Sequence, residues 1–234
     1  MKRFFERIHQ KAVDPSQAPI LIVAFGDSNT QGVSEHNLTE PSTVYHRVLQ
    51  EFLEEFYPTT TFSVLNAGVA GDSAKGALTR IERDIVRHQP DLVLVAFGTN
   101  DCGAGRDFQS EFTQALTRII SQIRQQTEAD IVLLTPPFMA TREMASVHPE
   151  HQRHTGDITR NQKEGILAHY VEGIRETARD QKVVLADVYR EWDRLSAAKV
   201  DTNLWLNNGL NHPDRRGHRV AAHVVFQALL AQRG

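Results

Sequence analysis

Five short apolar runs recur along this 234-residue chain, each about as long as a strand: residues 20–25, 62–65, 92–97, 131–134 and 183–186. They are rich in Val, Ile and Leu and show little polar alternation, the pattern of parallel strands buried on both faces. Helical spacing fills the gaps. Val44, Val48, Phe52 and Phe56 fall four apart after Pro41 and Ser42, and mark one face of a helix. Ala74, Leu78, Ile81 and Ile85 do the same before Pro90. Phe112, Leu116, Ile119 and Ile123 form a third stripe, Ile166, Tyr170 and Ile174 a fourth, and Val220, Val224 and Leu229 a C-terminal one. Each stripe is read as core packing. Strands alternating with helices predict an α/β chain, a three-layer α/β/α sandwich on a five-stranded parallel sheet. The length suits one domain over residues 1–234, with 1–18 as an N-terminal extension.

Charge and cysteine content narrow the function classes. A net charge of −3 gives no basic footprint for nucleic acid or an anionic membrane surface. The single cysteine, Cys102, has no internal partner, which fits a reducing compartment. The N-terminus opens on charged residues with no apolar stretch of signal length behind them. No window approaches the roughly 20 apolar residues of a spanning helix. A cytoplasmic protein without membrane insertion or nucleic-acid partner is expected. The helical stripes suit a homo-oligomer as well as a monomer.

The polar residues that follow the strands carry the chemistry. The first run ends in Gly26-Asp27-Ser28-Asn29, which puts a hydroxyl at the C-terminal end of a buried strand, where ligands collect in open α/β sheets. Gly26 allows close backbone approach, and a helix after Ser28 would aim backbone N–H groups at the site. Taken alone, the same tetrapeptide reads as a polar turn capping a helix. It is not a Gly-x-Ser-x-Gly elbow, because Gly32 lies too far on. Serine needs a base. His212, before Pro213 and the last helical stripe, has the right unperturbed pKa, although the chain has 11 histidines. His218 and His223 are read as packing or surface residues. A developing oxyanion needs preorganised donors. Gly71, after the second strand, can present a bare N–H, and Asn100, after the third, a side-chain amide; singly, they also read as a turn glycine and a helix cap. Residues 136–157 are the least regular stretch and read as a lid or substrate wall. Their His148, His151 and His154 have the wrong spacing for one helix face and no cysteine nearby to complete a zinc set, so no metal is assigned there.

Together these blocks resemble the SGNH hydrolases, also called the GDSL esterase/lipase family, from about residue 20 to the C-terminus. Gly26-Asp27-Ser28 looks like the nucleophile block. Gly71 matches the oxyanion glycine, and Gly98-Thr99-Asn100-Asp101 the Gly-x-Asn-Asp block whose first asparagine donates to the oxyanion. Asn211-His212-Pro213 resembles the histidine block. The resemblance implies a flavodoxin-like fold, Ser28 as nucleophile, His212 as base, Gly71 and Asn100 as oxyanion donors, and no cofactor or metal. Asp27 is read as structural and Asp101 as a brace for the Asn100 loop.

One position departs from the family. Its usual acid stands three residues before the histidine, and here that place is Gly209. Three arrangements stay open: a carboxylate from elsewhere, with Asp201 and Asp214 nearest in sequence; orientation of the ring by Asn208 or a backbone carbonyl; or drift away from catalysis. The expected activity is serine-esterase hydrolysis of short acyl groups, O-acetyl foremost, on a carbohydrate or other polar alcohol. The alternatives are a lysophospholipase or thioesterase-like enzyme, an acyltransferase, and a noncatalytic sugar-binding module on the same fold.

Overall fold

The computed structural model describes residues 1–36 and 38–233. Its elements run α1 (Lys2–Val13), β1 (Ile20–Gly26), α2 (Ser28–Gln31), α3 (Tyr45–Phe56), β2 (Phe62–Gly68), α4 (Ala74–Ala77), α5 (Ile81–Asp84), β3 (Leu92–Ala96), α6 (Gln109–Gln126), β4 (Asp130–Leu134), α7 (Thr155–Lys163), α8 (Ile166–Asp180), β5 (Val184–Ala186), α9 (Val188–Ala197) and α10 (Arg215–Leu230). The five strands pair in parallel in the order β2-β1-β3-β4-β5. That order reverses direction at β1 and β3, the switch point where doubly wound sheets open a crevice at the strand C-termini. The register sets Gly26 beside Gly68 on one side and Ala96 on the other. The three strands therefore end level, and the loops after them share one edge.

Strand side chains alternate between two core layers. Val23, Phe25, Val93, Val95, Ile131 and Leu133 face a cluster completed by α6, α8 and Trp192 of α9. Ile20, Ile22, Leu92, Leu94, Val132 and Leu134 face the other, completed by α1, α3 and α10. Each fully buried aliphatic side chain contributes about 1.5–3 kcal/mol of transfer free energy, so layers of this size hold the sheet edge rigid. The first helix belongs to the second layer. Phe4 and Ile8 are buried there, and Arg3 and Arg7 both reach Asp91 at the start of β3. No helix among the described residues is long and apolar enough to cross a membrane.

Two expected helices differ in detail. The stripe of residues 74–85 is not one helix. It breaks into α4, a tight turn over Leu78–Arg80, α5 and a second tight turn over Val86–His88. Gly76 lies inside its first piece. In α3 the four-apart reading drifts off the core. Tyr45, Val48, Leu49 and Leu53 are buried, while Phe56 is 46% exposed. A period of 3.6 residues moves a strict four-residue stripe around the helix. Phe56 instead rests edge-on against Phe226 of α10. The irregular 136–157 stretch ends in a short turn over Pro149–His154 and runs into α7.

Candidate active site

Ser28 opens α2 directly after β1 and is buried. Asp27 caps that turn by accepting the Asn29 N–H at 2.9 Å. The N–H of Ser28, in the first turn, has no intrahelical partner. Gly26 has no room for a side chain. A Cβ there would lie 2.2 Å from Thr30 Oγ1 and 2.6 Å from the Ala96 carbonyl. This close approach, with that of Gly68, where a Cβ would lie 2.1 Å from the Gln31 N, lets α2 fold back across the ends of β1 and β2.

His212 Nε2 lies 3.0 Å from Ser28 Oγ, and His212 Nδ1 lies 3.0 Å from the backbone carbonyl of Ser34. A carbonyl oxygen only accepts, so Nδ1 carries the ring proton and Nε2 presents its lone pair to the serine hydroxyl. That is the tautomer a general base requires. Burial pushes the imidazole below its ordinary pKa, and proximity to His151 adds to this; the bond to Ser34 works in the opposite direction. The ring is therefore neutral at pH 7.

None of the nearby acids reaches the ring nitrogen. Asp201 pairs with Arg142 and caps the turn over Thr202–Trp205, which holds its carboxyl down at about 2. Asp214 accepts the Arg216 and Gly217 N–H groups at the start of α10. Asn208 Oδ1 accepts the backbone N–H groups of Leu210, Asn211 and His212 at 2.9–3.0 Å. Asn208 thus shapes the histidine turn without touching the imidazole. Ser34 sits in a tight loop, where its N–H donates to the Leu38 carbonyl and Val33 bridges to Thr39.

Gly71 has a φ of +75°, a conformation open mainly to glycine, and a Cβ there would meet nothing within 4 Å. Asn100 Nδ2 donates to the Asp72 carbonyl at 2.9 Å, which orients the amide and leaves its second N–H available. Ser28, Gly71, Asn100 and His212 line one cleft of about 520 Å³. Val33, Met139, Ile158 and Leu210 supply its apolar wall, and Asn161, His151, His154 and Asp157 its polar one. The latter group comes from the end of the irregular stretch and from α7.

Asp101 ties the site together. Its carboxylate accepts the Gly98 N–H at 3.0 Å and the Ala74 N–H at 2.9 Å, so it links the loop after β3 to α4. Burial raises its carboxyl to about 6 and that of Asp27 to about 7. His218 is buried on α10 and His223 is exposed. His148, His151 and His154 do not converge on one point. Ring centres are 6.0 Å apart for the first pair and 6.5 Å for the second.

Two contributors escaped the sequence reading. The Ser34 carbonyl is backbone and leaves no side-chain signal. Arg80 is nearly buried, and donates to the Gly26 and Ala67 carbonyls and to Asp72 and Asp84. Its guanidinium also stacks over Phe25. The i,i+4 pair Arg80–Asp84 was visible, but it reads equally as a solvated helix face.

The sequence profile of the GDSL-like lipase/acylhydrolase family matches residues 24–220, a span that takes in every block just described. The chain belongs to that family. This GDSL chain is thus a carboxylic ester hydrolase. Its relatives include an uncharacterized lipoprotein, YqeF, of Bacillus subtilis, 22% identical over 91% of this chain and 90% of that protein. Thioesterase 1/protease 1/lysophospholipase L1 of Escherichia coli is 36% identical over 31% of this chain and 34% of that one. Among solved structures, the acetylxylan esterase Axe2 of Geobacillus stearothermophilus aligns with a TM-score of 0.67 at 17% identity, covering 90% of this chain and 94% of that one. At that identity the likeness establishes the shared SGNH hydrolase fold.

Proposed function

We propose that this hydrolase is a serine esterase that removes short acyl groups, acetyl foremost, from a carbohydrate or other polar alcohol. The observation that carries the reading is the 3.0 Å contact between Ser28 Oγ and a neutral His212 Nε2 beside unpaired N–H donors. His212 takes the hydroxyl proton as Ser28 attacks the ester carbonyl. The N–H groups of Ser28 and Gly71 and the Asn100 amide hold the oxyanion. The imidazolium then protonates the departing alcohol, leaving an acyl-serine. Water, deprotonated by the same nitrogen, attacks the acyl group, and the acid leaves as Ser28 regains its proton. The Ser34 carbonyl fixes the tautomer and lends a partial negative charge to the imidazolium, where the family's usual aspartate would lend a full one.

A small acyl group is favoured by the polar half of the cleft, since a long chain requires a continuous apolar tunnel. The Geobacillus relative is named for acetylxylan, which suits an acetylated sugar. The runner-up is a longer-chain acyl hydrolase. It draws on the Escherichia coli relative's name and on the apolar strip of Val33, Met139 and Leu210.

One series of substrates separates them. With p-nitrophenyl esters from acetate to laurate and acetylated xylo-oligosaccharides alongside, kcat/KM is expected to fall at least about tenfold from acetyl to octanoyl. A rise with chain length would favour the runner-up. Ser28→Ala is expected to lose about 10³-fold or more in kcat and all labelling by a fluorophosphonate. Labelling retained in that variant would overturn the assignment of the nucleophile.

A further inference from the structure

We propose that His36, His148 and Glu150 form a site for one divalent transition-metal cation at the rim of the cleft. Each offers one ligand atom, and the three atoms lie within 4.8 Å of one another. Two imidazoles and a carboxylate suit Zn²⁺, Co²⁺, Ni²⁺ or Cu²⁺ better than Mg²⁺ or Ca²⁺, which prefer oxygen. A tetrahedral ion with bonds of about 2.0–2.1 Å holds its ligands about 3.4 Å apart. Closing that gap takes side-chain rotations of the exposed Glu150 and of His148, whose Nδ1 now accepts the Glu150 N–H.

The local geometry supplies more than proximity. His36 Nδ1 lies 3.2 Å from His151 Nε2, while His36 Nε2 lies 3.6 Å from the Glu150 carboxylate. One nitrogen is thus engaged by a neighbouring group and the other faces the cluster, the arrangement that orients a metal-bound imidazole. The His36 and His148 rings stack at 4.0 Å and 10°, so one of them must turn about its side-chain torsions before both in-plane lone pairs face one ion. Pro149, between His148 and Glu150, starts the turn over Pro149–His154 and stiffens the link between these two ligands. The His36 side chain is one-third exposed and that of Glu150 is 70% exposed, so an ion can enter from solvent. Three protein ligands leave room for water as a fourth.

The site joins parts of the chain far apart in sequence. His36 lies two residues beyond Ser34, whose carbonyl holds His212; His148 and Glu150 stand just outside the cleft, next to His151, which lines it. A bound cation therefore cross-links the loop that orients His212 to the segment opposite. The His148, His151, His154 spacing could not reveal this site, because one ligand comes from residue 36. The inference stands apart from the hydrolytic reading, since its ligands lie outside the acyl chemistry.

The test uses the untagged, chelator-treated and desalted protein. Titration with Co²⁺ is expected to give saturable visible ligand-field absorption at one equivalent, displaced by Zn²⁺, and Zn²⁺ is expected to raise the melting temperature. His36→Ala and His148→Ala should each weaken Co²⁺ binding at least tenfold and abolish the Zn²⁺ shift, and Glu150→Gln should weaken binding. His9→Ala, on α1, should change neither readout. The absence of saturable one-equivalent binding would overturn the site. So would binding untouched by His36→Ala and His148→Ala, or binding lost equally in His9→Ala.

Discussion

The place where the family keeps an aspartate is physically closed in this chain. Gly209 has a φ of +67°, and a Cβ there would lie 2.8 Å from Ser146 Oγ and 3.0 Å from Val147 Cγ2. The 144–147 segment crowds the space an acid would need, and the imidazole is held by the Ser34 carbonyl instead. Restoring the acid as Gly209→Asp is therefore expected to destabilise by about 1–3 kcal/mol without raising kcat. Asp201→Asn should leave kcat within about twofold, because its partners are Arg142 and Asn203. Asn208→Ala should cost much more. Three backbone N–H groups lose their acceptor, each worth about 1 kcal/mol. The His212 turn then loosens, so kcat should fall over tenfold. Asn208→Asp, which still accepts those bonds, should recover most of that loss. Steady-state kinetics and urea unfolding on the four variants check these outcomes. Burial of the imidazole sets the direction of the pH profile. Because burial lowers the pKa of His212 below its usual 6.5, the acid limb of kcat/KM, where Nε2 gains a proton, should have its midpoint below pH 6.5. An acid limb centred above pH 6.5 would contradict that sign. The blocks of Ser28, Gly71 and Asn100 were legible because each follows an apolar run, and that of His212 because it stands just before the last helical stripe. The orienting group was not, because a carbonyl has the same sequence signature at every position.

At the scale of elements, the strands were the most legible part. Their buried, β-branched runs leave few other readings, and all five appear within a few residues of the expected ends. The broken helix of residues 74–88 was less so, and the reason lies in Arg80. Its guanidinium must reach the Gly26 and Ala67 carbonyls at the ends of β1 and β2 while holding Asp72 and Asp84. A straight helix is not what this segment forms. The backbone tightens around the arginine, and local periodicity carries no record of that tertiary demand. The same contacts make Arg80 a positioning residue for the site. Asp72, which it fixes, offers the carbonyl that orients the Asn100 amide, and Gly71 precedes it. Arg80→Met is expected to cost about 2–3 kcal/mol, since it leaves the half-buried Asp72 without its cation and the Gly26 and Ala67 carbonyls without their donor, while Asp84 keeps Arg83. At temperatures where the variant remains folded, kcat should fall with KM nearly unchanged, because the oxyanion donors lose their register while the cleft wall is untouched. An equal loss in an Arg80→Lys variant would fit this reading, as one ammonium cannot span four partners.

Across the whole molecule, the catalytic edge sets electrostatics against stability. Asp27 sits between the two core layers, 2% exposed, beside a void of about 40 Å³ lined by Tyr45, Thr99 and His218. Asp101 and Asp72 add negative potential to it. Desolvation is the larger cause, and it lifts the carboxyl from 3.8 to about 7. Between those limits the native chain holds a proton that the unfolded chain has released. Stability must therefore fall as pH rises through that window. Below it, both states are protonated and Asp27 imposes no penalty of this kind; above it, the full cost of a buried charge is present. Asp27→Asn removes the titration while keeping an acceptor for the Asn29 N–H. The stability of this variant relative to the parent should thus grow from pH 4 to pH 7 and then level off, by a few kcal/mol in all. Urea midpoints of both proteins at pH 5 and pH 8 decide it. A difference that stays flat between these pH values would mean that Asp27 is already charged in the folded state at pH 5. A difference that grows would mean that the cap before the nucleophile holds a neutral acid when the fold is most stable, and that the chain accepts a weaker fold at the pH where His212 is free to act as a base.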